Sequence, residues 1–141
     1  MTLNIITKIE MILHATEDYQ KISESFHDMF AIEKDEISVQ NLSGHFGNTI
    51  LMLSIEMKKK HAEEFLKKII SIISKTQLAD ILEDLEERIN DSTLYLRFSK
   101  QEFIKKSLIL EEKDPIRISI YTPVYVKKEL DSTYRKLLAI K

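Results

Sequence analysis

The chain has 141 residues, 43% of them hydrophobic, which suits one domain (1–141) with a substantial core. A net charge of −2 and a pI of about 6.1 exclude a protein that holds nucleic acid by bulk positive charge, so any such site has to be a local basic patch on a mixed surface. The absence of cysteine excludes a disulfide framework and thiolate metal sites, and no apolar run reaches the roughly 18 residues of a membrane-spanning helix.

The first segment, Met1 to Lys8, lacks the basic region and cleavage site of a signal peptide. It reads as the start of a strand, and a cytoplasmic location is the default. Over residues 3–15, Leu3, Ile5, Ile9, Met11, Leu13 and Ala15 share one face, interrupted by Thr7, while Lys8, Glu10 and His14 share the other. Period two over this length predicts a long strand with one buried face. Thr16-Glu17-Asp18 then offers a helix cap and first-turn acids. Tyr19, Ile22, Phe26, Met29 and Phe30 follow at helical spacing.

A weak strand pattern, Glu36 to Gln40, leads to Gly44-His45-Phe46-Gly47-Asn48. These are the chain's only two glycines. Glycine accepts positive φ at no steric cost, so the pair predicts a shaped hairpin loop carrying an imidazole, a ring and an amide. At least one of Gly44 and Gly47 is expected at positive φ. The plainer reading is a structural turn with His45 capping a backbone group. Residues 49–57 then read as a strand apolar on both faces near its middle, hence internal to its sheet.

Ala62, Phe65, Leu66, Ile69, Ile70 and Ile73 mark a helix, and Ser74-Lys75-Thr76 breaks it. Thr76 is placed to cap a second helix that buries Leu78, Ile81, Leu82, Leu85 and Ile89. Its other face is acidic, with Asp80, Glu83, Asp84, Glu86 and Glu87, the pattern of a solvated surface. Thr93 to Ser99 alternates again, with Leu94, Leu96 and Phe98 inward and Tyr95, Arg97 and Ser99 outward. One helical turn over 101–106, strands at 108–112 and 115–122 joined by Lys113-Asp114, and a last helix burying Leu130, Tyr134, Leu137 and Leu138 complete the chain. The helices fall at about 17–31, 60–74, 77–89 and 127–139. The order predicts an α+β two-layer sandwich, a mainly antiparallel sheet covered by helices, with strand order unreadable.

The four histidines, His14, His27, His45 and His61, form no spaced metal pair, so no metal site is expected. No nucleophile elbow and no phosphate-cradling glycine loop before a helix is present, and no cofactor is expected. Chemistry concentrates instead in Leu94 to Phe103. Arg97 can pair with phosphate bidentately or stack on a base, and Tyr95 can add a stacking surface. An ordinary exposed strand face is the plainer account.

Three stretches, His14-Ala-Thr-Glu-Asp18, Gly44-His-Phe-Gly-Asn-Thr-Ile50 and Leu94-Tyr-Leu-Arg-Phe-Ser-Lys-Gln101, occur in an order and spacing that resembles a family of small archaeal proteins. That family is described as predicted exosome subunits or RNA-binding proteins, and the likeness covers nearly the whole chain. It implies a fold like that of the large-subunit ribosomal protein that binds 5S RNA, and an RNA-related role. Family members often carry an acid where this chain has Ser99, so a pairing of that acid with a basic neighbour is absent here.

The leading reading is a non-enzymatic RNA-binding accessory protein connected with RNA processing or degradation, with RNA and exosome or other RNA-processing proteins as partners. His45, Asn48, Arg97, Lys100 and Gln101 are the expected contact residues, and Gly44 and Gly47 shape the loop. The two motifs are expected to converge on one surface. The alternative is a protein-interaction module that docks on an RNA-processing assembly, its acidic helix meeting a basic partner. A hydrolase using His45 is a third reading.

Overall fold

Period-two alternation builds the sheet. In β1 (Ile6–Leu13), Ile9, Met11 and Leu13 are buried while Lys8 is exposed. In β5 (Thr93–Phe98), Leu94, Leu96 and Phe98 are fully buried. The structure, a computed structural model, describes residues 4–43 and 49–139. Among these, β2 (Ser38–Ser43), β3 (Thr49–Lys58), β4 (Ile89–Asn90) and β6 (Ile116–Tyr121) complete one sheet, ordered β2-β3-β1-β6-β5-β4. Every neighbouring pair is antiparallel. The predicted α+β fold, an antiparallel sheet with helices packed against it, is therefore the fold observed.

Six α-helices accompany the strands among the described residues: α1 (Tyr19–Phe30), α2 (Lys59–Ile72), α3 (Lys75–Glu83), α4 (Leu85–Arg88), α5 (Lys100–Ile104) and α6 (Leu130–Leu138). Asp18 caps α1, accepting from the backbone N–H of Gln20 at 2.9 Å, an arrangement worth about 1 kcal/mol. The apolar stripes predicted for α1 and α2 face the sheet: Ile22, Phe26 and Met29 from one, Ala62, Phe65, Leu66 and Ile69 from the other. Phe26 packs on Phe103 and Phe30 on Phe65, each with ring centroids 4.7 Å apart. Tyr134 of α6 is fully buried, and its hydroxyl is 2.6 Å from the Ser92 carbonyl and 3.1 Å from that of Ile120. It thereby ties the β4–β5 turn to β6.

Three local expectations change. The single helix over 77–89 is two, α3 and α4, and its cap is Ser74, whose hydroxyl accepts from Gln77, rather than Thr76. Ile89 leaves the helix because it pairs with Leu94 across a tight turn in which Asp91 and Ser92 both have positive φ. The expected strand 108–112 makes one bridge, Leu110 to Phe98, and no hairpin with β6. On its other side stands the side-chain amide of Gln77, which donates to the Leu108 carbonyl at 2.8 Å and accepts from the Leu110 N–H at 2.7 Å. The amide takes the backbone groups that a further strand would have used. The glycine loop, with Gly44, His45, Phe46, Gly47 and Asn48, lies outside the described residues, and so does the expectation of positive φ there.

Candidate nucleic-acid interface

All the buried strand residues point to the helical layer, so the opposite face of the sheet has no helix against it among the described residues. The ladder register places three rows across it. Ser54, Glu10, Arg117 and Arg97 form one row over β3, β1, β6 and β5. Glu56, Lys8, Ser119 and Tyr95 form the next, and Lys58, Ile6, Tyr121 and Thr93 the third. Between the rows lies a shallow depression of about 370 Å³ whose lining includes Lys8, Glu10, Tyr95, Arg117 and Tyr121.

Tyr95 is the centre of this face. The guanidinium carbons of Arg97 and Arg117 each lie 5.7 Å from its ring centroid, within cation–π range. The two cations differ in how far protein acids engage them. Arg117 donates from Nη2 to Glu10 Oε1 at 2.8 Å, whereas Arg97 reaches Glu112 only at 4.0 Å. Arg97 therefore keeps most of its fork of N–H donors for another acceptor, and that fork matches a phosphate.

A second constellation sits at the end of the sheet where β1 and β5 finish. Lys100 is only 5% exposed. Its ammonium donates to the Ile12 carbonyl at 2.7 Å and to Glu17 Oε1 at 2.9 Å, and pairs with Asp114 Oδ2 at 2.9 Å. Glu17 Oε1 also accepts the backbone N–H of His14 at 2.8 Å, and the His14 ring lies 3.2 Å from Asp114 Oδ2. Partial burial works to raise the Asp114 carboxyl, but the hydrogen bond and charge of Lys100, with His14, outweigh it and hold the group below its ordinary value. His14, Glu17 and Asp114 offer ligand atoms within 4.8 Å of one another, a spacing a metal could use. Here the Lys100 ammonium bonds both carboxylates and already supplies the positive charge.

The expected site residues thus separate. Arg97 lies on the uncovered face with Tyr95. Lys100 is engaged by protein oxygens, and Gln101 is exposed beside it on a cavity of about 350 Å³. That cavity carries the acids Glu17, Glu111 and Asp114 against Lys100 and Lys113, a poor balance for an anion. Ser99 caps α5, accepting from the Glu102 N–H at 3.1 Å, so an acid at this position would have a capping role available rather than needing a basic partner. His45 and Asn48 lie outside the described residues, as does any separation between His45 and Arg97. The flanking pair Ser43–Thr49 closes β2 and β3 at the sheet end where β5 also finishes. Three strand spacings, about 14 Å, separate β3 from β5 there. Arg117 and Lys8 were not singled out from the sequence. Their signal is the register that sets them beside Tyr95, and strand order hides it.

A family model described as RNA binding matches residues 7–122. The RNA-binding protein PAB1135 of Pyrococcus abyssi is 32% identical over 130 residues, covering 86% of this chain and 84% of that one. Protein MJ0213 of Methanocaldococcus jannaschii is 27% identical over 139 residues, covering 94% and 93%. The crystal structure of protein AF2318 from Archaeoglobus fulgidus, a member of the family named DUF54, superposes with a TM-score of 0.81 at 27% identity, covering 97% of this chain and 99% of that one.

Proposed function

The chain belongs to the RNA-binding family, and from that premise we propose that it is a non-enzymatic RNA-binding protein that contacts RNA through the uncovered face of its sheet. The observation that carries the reading is the Arg97–Tyr95–Arg117 cluster, two guanidiniums held beside one ring on a face that no helix covers among the described residues. Arg97 meets phosphate directly, with Arg117 and Lys8 beside it. Gln101 at the end of β5, and His45 and Asn48 in the loop shaped by Gly44 and Gly47, extend the contact. Lys100 serves it by fixing the strand end rather than by touching RNA. A cytoplasmic accessory role in RNA processing or degradation, in association with the exosome, and a likeness to the 5S-RNA-binding ribosomal protein belong to the same proposal through the family resemblance.

A second reading has its own observation. Asp80, Glu83, Asp84, Glu86 and Glu87 are all exposed on α3, α4 and the residue between them, an acidic surface for a basic protein partner. Titration of labelled RNA at several salt concentrations separates the two. On the leading reading the wild-type protein binds, and Arg97→Ala weakens binding and flattens the log–log salt slope by about 0.7, one phosphate contact on a single strand. Unchanged affinity and slope in a folded variant favour the docking module.

A further inference from the structure

We infer that the uncovered face takes single-stranded rather than duplex RNA, with an unpaired base stacked on Tyr121 and the backbone held by Arg97 and Arg117. This rests on the reading that RNA binds this face, and names the form of RNA it accepts. Tyr121 is 39% exposed at the end of β6, on the same side of the sheet as Tyr95 and diagonal to it in the ladder. The two rings differ in what already occupies them. Tyr95 has a guanidinium from each of two arginines beside it, whereas no cation lies over Tyr121 among the described residues. Tyr121 is the ring left for a ligand.

The strand geometry sets the two functions on one line. Arg117, Ser119 and Tyr121 project from β6 to the same side at steps of about 6.8 Å. A strand laid along β6 therefore meets cations first and a stacking platform about 14 Å further on. Duplex RNA cannot use this arrangement, because its bases are stacked on each other and only its grooves, 2′-hydroxyls and phosphates are presented. Charge points the same way. Lys8, Lys58, Arg97 and Arg117 face Glu10, Glu56 and Glu112, a near balance that cannot hold two phosphate backbones by electrostatics, so stacking has to supply part of the affinity.

The test is fluorescence anisotropy of a labelled oligouridine against an RNA duplex of equal length at one salt concentration, repeated with Tyr121→Ala and Tyr121→Phe after circular dichroism has verified their folding. Tighter binding of the single strand is expected, with Tyr121→Ala weakening it about tenfold at an unchanged salt slope and Tyr121→Phe retaining it. Duplex bound as tightly as single strand, or a Tyr121→Ala variant with wild-type affinity while Arg97→Ala still weakens binding, overturns the single-strand assignment and leaves RNA binding at this face standing. No binding of either form overturns both.

Discussion

Arg97 and Arg117 stand directly opposite each other across the β5–β6 ladder, and both guanidiniums lie 5.7 Å from the ring of Tyr95. Like charges opposite each other on one face cost an antiparallel pair roughly 0.2–1 kcal/mol. The Tyr95 ring offsets part of that cost for both, and Glu10 neutralises Arg117. Arg97 has only a distant acid. A like-charged pair on an uncovered face is a departure from what stability alone favours, and departures of that kind gather at functional sites.

Replacing Arg97 by Thr should therefore separate function from stability. Thr suits an exposed strand position and relieves the repulsion, so thermal or urea unfolding should change by no more than about 0.5 kcal/mol, in the direction of greater stability. RNA affinity should fall at the same time. Losses of stability and affinity together, with a disturbed fold, would mean that Arg97 is a structural residue.

Lys100 gives the opposite expectation. Lys100→Met keeps the length of the side chain but leaves Glu17 and Asp114 facing each other and the Ile12 carbonyl without its donor. The cost should be about 3 kcal/mol, the low end for breaking a buried pair, because both carboxylates keep some contact with water. RNA binding by the variant at a temperature where it is folded should match wild type. A stability change under about 0.5 kcal/mol would contradict the clamp.

The same cluster predicts a pH dependence. The Asp114 carboxyl is held below its ordinary value in the folded state. A carboxyl with a depressed folded pKa contributes stability that is fully present above its unfolded pKa and is lost as pH falls through the folded value. Melting temperatures of wild type and Asp114→Asn should differ most near neutral pH and converge as the pH falls below the ordinary carboxylate range and through the lowered folded value. A gap that stays constant from neutral to acid pH would mean that the Asp114 charge is not what holds the cluster.

Much of the fold was legible in the sequence because single faces are buried. The alternation of β1 and β5, the Asp18 cap and the stripes of α1 and α2 each report on burial within one element. What was hidden depends on partners far along the chain. Lys100 reads as an exposed base after a strand, and its burial is set by a carbonyl 88 residues away. Arg117 sits inside an apolar strand run with nothing local to mark it, and becomes part of a site only through its register with Arg97. Ile89 fits the helical spacing of Leu82 and Leu85, and leaves the helix because of Leu94, which helical periodicity does not register. Within the last motif, Leu94 to Gln101, Arg97 lies on the uncovered face and Lys100 in the clamp, so their closeness in sequence hid two different roles.

The central claim, that RNA meets the uncovered face of the sheet, is tested most directly by mapping backbone and side-chain NMR shifts as an unlabelled RNA single strand is titrated into the isotopically labelled protein. The account predicts that the largest shifts cluster on Lys8, Tyr95, Arg97, Arg117 and Tyr121, the outward residues of β1, β5 and β6. Saturable shifts confined to the helical layer, around Phe30, His61 and Lys68 or along the acidic surface of α3 and α4, with those five residues unmoved, would contradict it.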